Sequence, residues 1–165
     1  MLIILGASGT VNTPVLKVEL KSNQRIFDED EKAVEKIIHS LFNLDVDLDQ
    51  FYGAVKRDKI MGIITQKLRR LRSPTTTTPF EALVSSIIEQ QISLDVASVL
   101  ENKVIKTFGD VLRIGDGVYF AFPTPKELAS ATIEQLRSCG LSLRKAVYIK
   151  DASNWSLKGN WIWML

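Results

Sequence analysis

From Asp28 to Ser142 the chain repeatedly sets an oxygen-bearing side chain just ahead of apolar residues spaced three and four apart. That is the pattern of capped amphipathic helices, and it leaves little room for a large sheet. Asp28 with Glu31 reads as a capping box before Val34, Ile37, Ile38, Leu41 and Phe42. Asp47 with Gln50 repeats the signal before Phe51, Tyr52 and Val55, and a third helix is predicted over about residues 58–68. Ser73-Pro74 and Thr75 to Thr78 form a loop. Thr78-Pro79-Phe80-Glu81 then opens a helix with a broad apolar face, Phe80, Leu83, Val84, Ile87 and Ile88. Ser93 caps the next, which stops at Gly109; Thr124, Thr132 and Ser142 open three more, and periodicity ends after Ala152.

Residues 1–26 read differently. Leu16, Val18 and Leu20 alternate with polar neighbours, and Gly6, Gly9, Asn12 and Pro14 punctuate the run, so this segment is expected to be β. The fold class is mainly α, with a short β segment at the N-terminus and no internal repeat. Leu2 to Gly9 imitates the strand and Gly-rich turn of a dinucleotide-binding oxidoreductase, but Asn12, Pro14 and a second strand-like run follow where a helix is required. That reading is rejected.

Composition narrows the class further. A hydrophobic fraction of 45% and a charged fraction of 24% are those of a globular protein, and no apolar run is long enough to span a membrane. Cys139 is the only cysteine, which excludes an internal disulfide and a cysteine-built metal cage. An intracellular location is expected. The net charge of +2 hides a segregation: acids crowd residues 28–49, while residues 56–72 hold seven basic groups against Asp58 alone. Such a stretch can meet phosphates, but a solvated helix face is the more common explanation, and nucleic-acid binding does not follow from it alone.

The order of motifs over residues 79–150 carries a family resemblance. Pro79-Phe80-Glu81-Ala82-Leu83-Val84 leads into Ile87-Ile88-Glu89-Gln90-Gln91-Ile92-Ser93. Phe108-Gly109, Phe122-Pro123-Thr124-Pro125 with Leu128-Ala129, and Gly140-Leu141-Ser142-Leu143-Arg144-Lys145-Ala146 follow. Together these resemble the helical core of 3-methyladenine (alkylpurine) DNA glycosylases of the helix-hairpin-helix superfamily. The resemblance implies base-excision repair: release of alkylated purines from double-stranded DNA by a monomer without metal or organic cofactor. It makes residues 1–26 a remnant of a small β domain and residues 27–153 an incomplete helical glycosylase domain.

Enzymes that act on a stacked base flip it out and fill the gap. By position the family's wedge falls at Gln91, with Gln90 beside it. A glutamine is long enough to enter the duplex, and its amide can hydrogen-bond the widowed base; a plain helix–helix junction would use the same residues. Arg144 and Lys145 sit in the first turn of a helix, where cations oppose the macrodipole, and are candidates for phosphate contacts.

The resemblance also implies a Gly-rich hairpin and a catalytic Asp further along. Gly115-Asp116-Gly117 is the only Gly-x-Gly, and no acid can be assigned as that Asp. The chain as written is therefore not expected to excise bases, and a non-catalytic DNA-binding or protein-interaction fragment is the alternative. Residues 154–165 hold all three tryptophans. Because Trp and Met have single codons, a shifted frame is partly readable there: it gives Leu at Asn154-Trp155 and Asn160-Trp161, and Asp at Trp161-Ile162 and Trp163-Met164. A single-base frameshift near codon 154 is the expectation. A genuine Trp-rich tail, stacking on single-stranded bases or docking on a partner, is the alternative.

Overall fold

The computed structural model describes residues 1–10 and 13–159. Asn12, Trp161 and Trp163, on which part of the turn and tail readings rested, lie outside the described residues. The chain divides into two compact units, one over Met1–Thr77 and the other from Thr78 onward. The first three helices thus group with the β segment and not with the helices after Thr78.

In the first unit, β1 (Leu2–Gly9) and β2 (Pro14–Lys21) form an antiparallel pair with Leu5 opposite Val18 and Gly9 opposite Pro14. The turn is closed by Thr13 N–H donating to Thr10 O at 3.1 Å and Thr10 N–H to Thr13 O at 3.2 Å. α1 (Asp28–Leu41) follows. Its cap falls one residue earlier than the Asp28–Glu31 box: Phe27 is the N-cap, and the Asp30 carboxylate accepts from the Phe27 N–H at 2.9 Å. Asp47 caps α2 (Leu48–Val55) as expected, and Asp58, not singled out as a cap in the sequence, caps α3 (Lys59–Lys67). Two strands and three short helices enclose little. Val34 and Ile38 on α1 are buried, whereas α2 and α3 bury nothing, and Ile60 and Ile63 stand 70% and 58% exposed. Part of the basic stretch serves the fold: the Arg72 guanidinium donates to the carbonyls of Asn43 and Val46 and pins the loop after α1.

The second unit holds the core. α4 (Pro79–Glu89), α5 (Leu94–Phe108), α6 (Pro125–Ser130), α7 (Ile133–Ser138) and α8 (Leu143–Leu157) surround Val84, Ile88, Val104, Leu128, Leu136, Ala146 and Ile149, all without solvent exposure. α8 is the central element and packs on α4, α6 and α7. Each predicted cap here is made. Thr78, Ser93, Thr124, Thr132 and Ser142 accept from the N–H three residues on, and the Glu127 and Gln135 side chains complete reciprocal boxes.

Two differences from the sequence reading stand out. α8 does not stop after Ala152 but runs to Leu157, with Ser153 fully buried and its hydroxyl donating to Ile149 O at 2.7 Å. Bonding back into its own helix lets a small polar residue occupy a core position. The other is an unforeseen hairpin, β3 (Val111–Ile114) with β4 (Gly117–Phe120), turning at Gly115-Asp116.

Gly109 ends α5 where the chain returns from that hairpin. A Cβ there would lie 2.0 Å from Ala121 O and 2.7 Å from Ile105 O, both backbone atoms that cannot swing away. Gly109→Ala is expected to destabilise the second unit by about 1–3 kcal/mol, the range for overpacking a tight site. Urea denaturation measures it, and an unchanged midpoint would contradict the close approach.

Candidate nucleic-acid interface

The candidate site is the junction between α4 and α5. α4 has eleven residues and ends at Glu89; Ser93 caps α5, so three residues must reverse the chain. Gln90 leaves the helix with φ −53° and ψ 126°, and Gln91 takes φ +59°. A left-handed backbone at a non-glycine residue brings Cβ against the following carbonyl and costs about 1–2 kcal/mol. Both glutamines are exposed, whereas Ile92 tucks back against the core. The junction thus presents two amide side chains to solvent from a backbone anchored on either side: Ile87 and Ile88 are buried before it, and Ala97 after it.

The first turn of α8 contributes the other candidates, which behave differently. Arg144 is exposed. Lys145 is half-buried, and its ammonium donates to Ile88 O at 2.8 Å. Its ammonium is thus engaged within the unit, unlike the exposed Arg144. The physical reason is electrostatic. The last carbonyls of α4 carry the negative end of the helix dipole, and a cation from a neighbouring helix settles there more favourably than in water. The same bond explains how a cation is tolerated in the first turn of α8, since the field of α4 offsets that of α8.

The structure therefore brings Lys145 and the end of α4 together, three residues before Gln91. Sequence reasoning had no means of finding that link, because 57 residues separate donor and acceptor. Among the described residues no group of three or more His, Cys, Asp or Glu side chains is placed to hold a metal ion. Nor, among those residues, is any helix long and apolar enough to cross a membrane.

The helical unit, with its exposed left-handed turn between two capped helices, is similar to known DNA-repair proteins. Residues 84–157 match the model of the HhH-GPD superfamily base excision DNA repair proteins. The chain is 29% identical over 140 residues to the DNA-3-methyladenine glycosylase of Bacillus subtilis (strain 168), a match covering 84% of this chain and 46% of that protein. It is 33% identical over 90 residues to DNA-3-methyladenine glycosylase 2 of Escherichia coli (strain K12), covering 54% of this chain and 31% of the other. The solved 3-methyladenine DNA-glycosylase from Archaeoglobus fulgidus matches with a TM-score of 0.70 at 25% identity, over 85% of this chain and 47% of that one. The chain spans about half the length of such relatives, or less.

Proposed function

We propose that this chain is the duplex-gripping, base-flipping part of a DNA N-glycosylase directed at alkylated purines such as 3-methyladenine. The observation that carries the reading is Gln91: exposed, held left-handed, and set at the α4–α5 junction within the stretch matched by the superfamily. Strained non-glycine backbone persists only where the surroundings over-determine it, and such positions concentrate at functional sites. In this reading Gln91 enters the stack as the damaged nucleotide leaves, and its amide bonds the widowed base. Gln90 flanks it, and Arg144 meets a phosphate. Alkylation makes the target base cationic and weakens its stacking and pairing, so flipping and fit supply much of the selectivity. The Gly-rich hairpin and Asp that the resemblance assigns to bond cleavage have no match in these residues, so binding without base release is the expected activity of this chain.

The test is a titration of the chain with two duplexes, one intact and one carrying a tetrahydrofuran abasic-site analogue, at several salt concentrations. The gapped duplex should bind tighter by about tenfold, both affinities should fall as salt rises, and methylated DNA should release no base. Equal affinity for the two duplexes would sink the wedge reading. Release of 3-methyladenine would overturn the expectation that cleavage lies elsewhere.

A further inference from the structure

We infer that Lys145 is a positioning residue for Gln91, acting through the carbonyl of Ile88; this rests on the reading of Gln91 given above. In a continuing helix, Ile88 O would accept from the N–H of Ile92. Here the left-handed turn at Gln91 diverts that N–H to Glu89 O, at a long 3.4 Å. Ile88 itself is fully buried, so its carbonyl turns to a side chain from another helix. Lys145 supplies that donor, and its own place is fixed. Ser142 Oγ accepts from the Lys145 N–H at 3.3 Å, and the next residue, Ala146, is buried with Ile149 in the core. The ammonium thus compensates the helix end that the left-handed turn leaves open. Without it, the route by which the chain regains its hydrogen bond is one more turn of helix, and that turn would carry Gln91 out of its exposed position.

Lys150 provides an internal comparison. Its ammonium donates to Ala129 O at 2.9 Å and Ala131 O at 2.5 Å, closing the end of α6 in the same manner. No left-handed non-glycine residue follows there. Loss of Lys150 should therefore cost stability alone, whereas loss of Lys145 should cost stability and the geometry of Gln91.

The experiment compares the chain with its Lys145→Met, Lys145→Arg, Lys150→Met and Gln91→Ala variants. The probe is a duplex with 2-aminopurine beside a tetrahydrofuran site, with an intact duplex as reference, and melting is followed in parallel. Lys145→Met should lose about tenfold in preference for the gapped duplex, the scale of one charge-assisted hydrogen bond, and should lose the 2-aminopurine response as Gln91→Ala does. Lys145→Arg should restore both, and Lys150→Met should keep both despite a lowered melting temperature. If Lys145→Met keeps the preference, or Lys150→Met loses as much, Lys145 is only a structural brace and the inference falls. Should Lys145→Met not fold, Lys145→Gln is read by the same two criteria. A preference that survives Gln91→Ala overturns the reading of Gln91 itself, whatever the lysine variants do.

Discussion

Replacing Ile149 with alanine is expected to lower the stability of the helical unit by about 2–5 kcal/mol, the range for an aliphatic side chain deleted from a packed core. The residue is fully buried at the middle of α8, which packs on three other helices. The site cannot collapse from one side, so the upper part of that range is the appropriate expectation. Domains of this size hold about 5–15 kcal/mol in all, and the variant should sit near the edge of folding at 37 °C. Urea denaturation followed by circular dichroism gives the value from the shift in midpoint. A loss below about 1 kcal/mol would mean that α8 is not packed as described.

Gln91→Gly should separate stability from binding. Glycine adopts φ +59° without a Cβ clash, so relief of that strain should hold or raise stability by about 1 kcal/mol. The same change removes the side chain proposed to enter the duplex, and preference for a gapped duplex should fall by about tenfold. Opposite movements of the two readouts are what a residue kept for function at the expense of stability produces. A glycine variant that is more stable and still discriminates would show the left-handed turn to be an accident of the junction.

What could be read from sequence followed from local chemistry. Thr78, Ser93, Thr124, Thr132 and Ser142 were legible as caps because each bonds a backbone group only three residues away. The mainly helical class followed from them. Val111 to Phe120 carries a hairpin pattern in its own residues. Branched and aromatic residues flank Gly115-Asp116, a tight-turn dipeptide, on both sides. Ser153 and Asn154 concealed the last turn of α8, since a polar residue at a core position breaks the apolar period. At the candidate site the motif order placed Gln91. The left-handed backbone and the partner of Lys145 arise from tertiary packing, and no local pattern encodes either.

The two lysines of α8 have a mechanical meaning beyond hydrogen bonding. Five residues apart on a helix, they project about 140° from one another around its axis. One grips the end of α4 and the other the end of α6. A shaft keyed at two angles can neither roll nor slip without breaking both keys. α8 is therefore locked in azimuth and in register, while a purely greasy contact would leave a cylinder free to rock. Only the first of these keys, Lys145 on Ile88 O, reaches the junction that carries Gln91, while the second fixes the seat of α6.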